Sequence, residues 1–142
     1  YDSARFGRVW QYGDKKMTSD GPLVKVKSLL KEAKHMCIAV VTDDGSPWVV
    51  PVVIRHHRGA KLSWVSSVRT VHSRAIEREP RIAITIFLTQ HDEWKEVGFY
   101  ATAIAKKGIP MPGGYATYSA TIERAWYNGQ EHKKTEIAIE NL

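Results

Sequence analysis

Short apolar runs separated by turn-forming residues fill the middle of this chain, and this pattern restricts it to a β-rich fold. Met36–Thr42 is an apolar run that ends at the turn-forming residues 43–47. A second, β-branched run occupies 47–57, and a third occupies 60–66. Runs of this length, bounded by Gly, Pro, Asp and Ser, are typical of strands joined by tight turns. The pattern therefore predicts three consecutive strands at 36–42, 47–57 and 60–66.

Two helices and four further strands are predicted in the rest of the sequence. Pro22–Lys34 begins with a helix-starting proline and carries apolar residues at helical spacing, which predicts an amphipathic helix. A second helix is predicted at 70–78, and Pro80 marks its end. Residues 108–114 are predicted to form a loop from their Pro and Gly content. The further strands are predicted at 81–88, 98–106, 117–127 and 135–139, the last two joined by the two-residue turn Asn128-Gly129.

The number and order of these elements favour one architecture. Six or seven strands with two helices, and no alternation of strand and helix, indicate a mainly antiparallel β-barrel with helices at its ends. A chain of 142 residues is long enough to bury one core, so residues 1–142 are predicted to form a single domain. Residues 1–21, which are mixed in charge and rich in Gly and Asp, are predicted to be an N-terminal arm.

The charge distribution narrows the class of partner. The chain has 21 Lys and Arg against 15 Asp and Glu, which gives a formal net charge of +6. A positive charge is compatible with nucleic acid, an anionic membrane surface or a phosphorylated ligand. The cations are scattered and no run reaches five like charges, which argues against a nucleic-acid-binding tail. We therefore expect a small-molecule ligand, no nucleic acid and no membrane.

Cysteine content and hydropathy bear on the compartment. Cys37 is the single cysteine, so there is no internal disulfide and no cysteine-based metal site. We expect it to be a buried, inert thiol, because it lies in a strand-like run. No uncharged apolar stretch approaches the roughly 20 residues that a membrane span needs. These features predict a protein of the reducing cytoplasm.

The segment Ser66–Arg74 is the best indicator of function. Its hydroxyl and cationic side chains lie at the start of the predicted second helix, where backbone N–H groups and the positive end of the helix dipole attract a phosphate. The alternative is an ordinary helix N-cap formed by Thr70, with the arginines in solvent. Taken alone, the segment is compatible with both interpretations.

Motifs for covalent, zinc or P-loop chemistry are missing from the sequence. It has no G-x-S-x-G and no H-E-x-x-H, and its one P-loop-like glycine spacing lacks the required Lys and Ser or Thr. His56 and His57 are adjacent in a predicted strand and should point to opposite faces, so no metal site is predicted. The catalytic residues are therefore unknown. A redox enzyme is still compatible with this sequence, because its cofactor carries the chemistry.

The order and spacing of these motifs is similar to one known family. Four segments carry the similarity, at 37–54, 61–87, 98–105 and 118–129, and together they span roughly residues 23 to 139. They read CIAVVTDDGSPWVVPVVI, KLSWVSSVRTVHSRAIEREPRIAITIF, GFYATAIA and YSATIERAWYNG. The chain resembles the pyridoxamine 5′-phosphate oxidase-like family, whose members are FMN-binding split barrels. The resemblance implies a mainly β, antiparallel split β-barrel with flanking helices.

The resemblance also implies a set of cofactor-binding residues. Val50-Pro51-Val52-Val53-Ile54-Arg55 occupies the family segment that runs along the flavin, with Arg55 where the family has lysine and Val50 where it has arginine. Val65-Ser66 takes the place of the family's aromatic-Thr pair, and Thr70-Val71-His72 that of its Ser-Arg-Lys phosphate triplet. Arg69 and Arg74 lie close enough in sequence to compensate for the lost cation. The implied FMN contacts are Val50, Pro51, Val52, Val53, Arg55, Val65, Ser66, Ser67, Arg69, Thr70, Val71, His72 and Trp126.

The function implied by the resemblance is an FMN-dependent oxidoreductase of a small substrate. Family members build the flavin site between two subunits, so a homodimer is expected. Pyridoxamine phosphate oxidation itself is not expected, because the family's late Arg-x-His motif is not recognisable after Gly129. The alternative is a non-catalytic flavin- or heme-binding protein of the same fold, which also hosts deazaflavin-using relatives. A basic nucleic-acid-binding barrel is the third interpretation.

Overall fold

The computed structural model describes residues 21–129 and 132–142, and one antiparallel sheet of eight strands dominates this part of the chain. The helices are α1 at 21–32 and α2 at Val71–Arg78. The strands are β1 (His35–Val41), β2 (Pro47–Val53), β3 (His56–Arg58), β4 (Lys61–Ser67), β5 (Arg81–Ile86), β6 (Gly98–Met111), β7 (Tyr115–Asn128) and β8 (Lys134–Ile137). Short 3₁₀ helices cover Asp92–Trp94 and Ile139–Asn141. The strand order is β2-β1-β5-β6-β7-β4-β3, and β8 pairs with β7.

The sheet closes into a barrel because the chain changes strand partner between β2 and β3. β2 pairs with β1 along its whole length. Ile54 then donates its N–H to the Lys34 carbonyl at 2.9 Å, and Arg55 donates its N–H to the Ser63 carbonyl at 2.8 Å. After this crossover, β3 pairs with β4. One continuous stretch of chain therefore joins the two ends of the strand order.

Alternating side chains of the strands fill the barrel interior. Leu62 and Trp64 of β4 are fully buried, and the Trp64 ring stacks on Tyr118 of β7 with centroids 5.9 Å apart. Helix α1 adds Val26 and Leu29, which are also fully buried. Each such side chain contributes about 1.5–3 kcal/mol through burial, so this interior supplies the main stabilising term.

The predicted fold class is confirmed. The described chain is mainly β and antiparallel, with helices beside the sheet. The helix predicted at 70–78 is present as α2, one residue shorter at its start. The predicted arm at 1–21 lies outside the described residues, except for Gly21, which is helical.

Three sequence predictions were wrong in detail. The run at 47–57 is two strands, because residues 54–55 hydrogen-bond across the crossover. Residues 108–114 are mostly strand: β6 continues to Met111, with a register shift between Lys107 and Pro110 that accommodates a proline. Asn128 is opposite Lys134, so the last hairpin has a connection at 129–133 where a two-residue turn was predicted.

Cys37 also differs from its prediction. Its neighbours Met36 and Ile38 point into the barrel, so the thiol lies on the outer side of β1 and is half-buried. No helix in the described residues is both long and apolar enough to cross a lipid bilayer.

Candidate functional site

The turn between β4 and α2 is held together by its own hydroxyl groups. Thr70 is the N-cap of α2, and its Oγ1 accepts a hydrogen bond from the Ser73 N–H at 3.1 Å. The same oxygen donates to Ser73 Oγ at 2.7 Å, and Ser73 Oγ donates to the Ser67 carbonyl at 2.7 Å. Ser73 is fully buried. The N-cap interpretation of Thr70 therefore describes the local geometry.

Ser66 and His72, two of the residues predicted to contact the phosphate, are hydrogen-bonded to each other. Ser66 Oγ lies 3.0 Å from His72 Nε2, and Thr70 Oγ1 lies 3.4 Å from the same nitrogen. His72 is only 8% exposed, and this burial lowers the pKa of its imidazole below the ordinary value of 6.5. Burial disfavours the charged form of a base. His72 is therefore a neutral hydrogen-bonding partner of Ser66 at neutral pH.

Other groups of the turn are available to bind a ligand. Arg69 is exposed, and its Nη1 would lie 2.8 Å from a Cβ placed on Gly114, so glycine gives the guanidinium room beside the β6–β7 turn. Ser67 Oγ accepts the Arg69 N–H at 3.2 Å, which leaves its own hydroxyl hydrogen free to donate. The N–H groups of Val71 and His72 stand in the first turn of α2, where helical geometry provides no acceptor. These groups fit a phosphate monoester, with Arg69 as its cation.

Strand β2 lies beside this turn and forms one edge of the pairing order. It contacts both β4 and α2. Val52 is buried and Val50 half-buried, while Pro51 and Val53 face outward and are exposed. The edge position agrees with the proline, which has no N–H to offer a further strand.

Two other residues in or next to β2 are also exposed. Arg55, just after β2, is exposed. Trp48 of β2 is 48% exposed. Apolar surface next to a cation is thus available along β2 to a flat ligand or to another chain.

The remaining predicted contacts are divided between two places. Val65 is half-buried on the outer side of β4, and Val71 is exposed at the start of α2, so both lie near the turn. Trp126 does not. Ser67 pairs with Tyr115 at the start of β7, and Trp126 lies eleven residues further along the same strand, about 35 Å of strand length. One chain therefore does not bring Trp126 to the phosphate-like turn.

Trp126 belongs to an aromatic and charged patch on the outside of the sheet. It pairs with Tyr100 of β6 and with Glu136 of β8. Arg124 Cζ lies 4.9 Å from the centroid of the Trp126 ring, and Lys134 Nζ lies 5.5 Å from it. Arg124 also forms a two-point ion pair with Glu136, which raises the pKa of the arginine and lowers that of the carboxyl.

A cleft of about 680 Å³, which was not predicted from the sequence, lies at the end of the barrel that holds the β5–β6 connection. We call it the loop cleft. Its volume is in the range of small-molecule sites. Its lining residues come from the β5–β6 segment and from the region around the end of β7: Thr85, Phe87, Leu88, Thr89, His91, Asp92, Trp94, Lys95, Glu96, Val97, Gly98, Tyr100, Asn128 and His132.

The loop cleft has two energetically unfavourable local features. Glu96 and His132 are the two non-glycine residues with positive φ in the described chain, at 63° and 60°. Their side chains face each other, with His132 Nε2 3.9 Å from Glu96 Oε1. Such backbone costs about 1–3 kcal/mol per residue and is concentrated at functional sites. In addition, the indole N–H of Trp94 is buried and has no hydrogen-bond partner.

The histidines offer no assembled metal centre. Within residues 21–129 and 132–142, no group of three or more His, Cys, Asp and Glu side chains is placed to hold an ion. His56 is exposed, and His57 Nε2 lies 3.0 Å from the Gly59 carbonyl. His56 and His57 thus have separate environments.

Several solved structures have the same fold as this chain. A heme-binding protein from Mycobacterium smegmatis matches with a TM-score of 0.69 at 13% identity, over 80% of this chain and 56% of that one. This chain thus spans little more than half the length of that protein. A Clostridium acetobutylicum protein, related to general stress protein 26 of B. subtilis and described as of the pyridoxinephosphate oxidase family, matches with a TM-score of 0.69 at 14% identity, over 89% of this chain and 97% of that one.

A further solved structure of this fold is that of a flavin-binding protein. An FAD-binding protein from Mesorhizobium loti has a TM-score of 0.60 at 15% identity, over 72% of this chain and 90% of that one. No protein-family model matches the chain, and no curated protein matches it. At these identities the likeness shows the fold alone. The predicted resemblance to split barrels of the pyridoxamine 5′-phosphate oxidase type is therefore confirmed as a divergent one, at the level of fold.

Proposed function

We propose that this chain binds FMN and acts as a flavin-dependent oxidoreductase on a small-molecule substrate. The observation that carries the proposal is the set of hydrogen-bond donors at the β4–α2 turn, with the exposed cation Arg69 among them, beside the apolar edge strand β2. Solved structures of the same fold include an FAD-binding protein and a protein of the pyridoxinephosphate oxidase family, which supports a flavin as the ligand.

The phosphate of FMN would be held by Arg69, by the hydroxyl of Ser67 and by the first-turn N–H groups of α2. These phosphate contacts differ from the Thr70-Val71-His72 triplet that the family resemblance implies. Ser66 and His72 would act one step away, because their mutual contact fixes the end of β4 against the start of α2. Thr70 likewise holds the turn in shape through Ser73. The cation next to the phosphate is thus an arginine outside the expected triplet.

The ring system and ribityl chain would lie along β2. Pro51 and Val53 offer exposed apolar surface, and Arg55 adds a charge at the end of the strand. Flat, partly apolar rings prefer such surfaces. A bound flavin supplies hydride and electron transfer, while these residues position it and limit its contact with water. Among the residues near the turn, none presents a dedicated acid or base.

We further propose a homodimer with the flavin between subunits. Trp126 is separated from the turn by most of the length of β7, so a site containing both needs a second copy of the chain. The surface also favours association: Val49 and Val53 share the outward face of the edge strand with Pro51 and are 65% and 42% exposed. Exposed apolar patches of this kind commonly mark interaction sites.

Absorption spectroscopy and titration test the proposal. The purified protein, or the protein after incubation with FMN and gel filtration, should show the two visible bands of a flavin. Anaerobic addition of NADH or NADPH, followed by a small electron acceptor, tests whether the bound flavin turns over. A protein that takes up no FMN at micromolar concentration contradicts the proposal, and one that binds without turnover restricts it to flavin binding.

Heme binding is the second candidate. The heme-binding protein from Mycobacterium smegmatis has the same fold, and the loop cleft presents two exposed imidazoles, His91 and His132. Glu96 beside His132 is the kind of carboxylate that orients an iron ligand. Hemin titration separates the candidates, because heme uptake gives a Soret band that His132→Ala or His91→Ala should shift or abolish.

A further inference from the structure

The loop cleft combines aromatic rings with carboxylates. Phe87 and Tyr100 line it and are 56% and 38% exposed, so their rings are accessible. Trp94 adds a third, buried ring. Aromatic faces attract cations through their quadrupole, and the attraction strengthens where water is partly excluded.

The charged residues that line the loop cleft differ in sign from the chain as a whole. Asp92 and Glu96 are set against a single lysine, Lys95, so with neutral histidines the lining carries a formal charge of −1 (one positive and two negative groups). The whole chain carries +6. Among the lining residues the carboxylates thus outnumber the lysine by one, while the ammonium groups of Lys25 and Lys134 lie against rings of the same cleft.

The chain's own lysines indicate what these rings bind. Lys25 Nζ lies 5.5 Å from the centroid of the Trp94 ring, and Lys134 Nζ lies 5.3 Å from that of Tyr100. Two aromatic residues of the loop cleft thus already hold an ammonium group. Lys134 is on a long, flexible side chain at the surface, so a ligand can displace its ammonium at small cost.

From these contacts we propose that the loop cleft is a binding site for an alkylammonium ligand, a primary or quaternary amine. The cationic head lies against the rings of Tyr100 and Phe87, and the carboxylates of Glu96 and Asp92 balance its charge. Rings and carboxylates in one cleft are the combination that recognises ammonium groups in water. Within one chain the site is separate from the β4–α2 turn, and the proposal does not depend on flavin binding.

The test compares a cation with its neutral isostere. Choline and 3,3-dimethylbutan-1-ol have the same shape and differ in charge, and both are titrated into the ¹⁵N-labelled full chain while amide shifts are followed. Choline should bind about three- to thirtyfold more tightly, which is the range of cation–π and charge contributions. Its largest shifts should fall on residues 87–100. Equal affinity for the two compounds, or shifts that fall elsewhere, would overturn the proposal.

Two pairs of surface variants locate the site. Lys134→Gln frees the Tyr100 ring and should tighten choline binding, while Lys133→Gln removes the same charge from an exposed neighbour and should change the affinity much less. Glu96→Gln should weaken binding several-fold, while Glu123→Gln, on the exposed side of β7, should not. Equal effects within each pair would mean that only overall charge matters, and would remove the loop cleft as the site.

Discussion

Ser66 Oγ and His72 Nε2 lie 3.0 Å apart across the β4–α2 turn. This contact turns two residues of the predicted phosphate set toward the protein interior and makes them part of the barrel's structure. It also creates a titratable group whose protonation state is tied to folding, because His72 is buried and its pKa is lowered.

The first prediction concerns the pH dependence of stability. The folded chain binds a proton at His72 only below the unfolded-state pKa of about 6.5, so the contribution of this residue is complete above that pH. The free energy of unfolding should fall as the pH drops from about 6.5 toward the lowered pKa of the folded state. His72→Gln should reduce this decline. Urea unfolding at pH 7.5 and 5.5 measures it, with the exposed His91→Gln as control; an unchanged decline in His72→Gln contradicts the prediction.

The second prediction concerns the helix cap. Thr70→Ala removes the acceptor for the Ser73 N–H and the donor to Ser73 Oγ, so unfolding should become easier by about 1–2 kcal/mol. Thr70→Ser keeps both hydrogen bonds and should cost much less. Urea midpoints of the two variants provide the comparison. Similar losses would assign the effect to the missing methyl group.

The third prediction concerns the phosphate. If Arg69 is its cation, Arg69→Gln should weaken FMN binding by about tenfold, the effect of one charge-assisted hydrogen bond at a solvent-facing site. Riboflavin lacks the phosphate, so its affinity should change little. Arg58→Gln is a matched control, because Arg58 pairs with Lys61 at the far end of β4. Flavin fluorescence titrations decide the matter: parallel losses for FMN and riboflavin would exclude Arg69 from the phosphate site.

The fourth prediction concerns assembly. Wild-type protein at micromolar concentration should show twice the 16.1 kDa of one chain in size-exclusion chromatography with light scattering. Val49→Lys places a charge in the exposed apolar edge and should shift the mass toward the monomer and weaken FMN binding. Val24→Lys, at a comparably exposed valine on α1, should do neither. A wild-type mass near that of one chain would remove the homodimer.

Local sequence patterns were sufficient for most of the barrel. The strand predicted at 60–66 corresponds to β4, and α2 ends at Arg78, before Pro80, as predicted. The crossover at Ile54 and Arg55 was missed because its residues continue the β-branched pattern while their N–H groups bond to two different parts of the chain. Pairing between distant residues carries no mark in a local pattern.

The functional sites were predictable to a smaller extent. The hydroxyls at Ser66 and Thr70 were visible in the sequence, but whether they face a ligand or the interior depends on the face of β4 for Ser66 and on the helix-capping contacts with Ser73 for Thr70. The loop cleft was not predictable, since it joins residues 85–100 to Asn128 and His132. Its two residues with positive φ, Glu96 and His132, are not glycines, so their residue types did not indicate a left-handed backbone.

The crossover between β2 and β3 has a consequence for how the barrel opens. Ile54 and Arg55 hold the same short stretch of chain to Lys34, just before β1, and to Ser63 in β4. When this stretch detaches, both ends of the sheet are released together and the barrel becomes an open ribbon. The amide hydrogens of β2 and β3, although paired with different strands, should therefore exchange with deuterium from solvent at a common rate, as one cooperative unit.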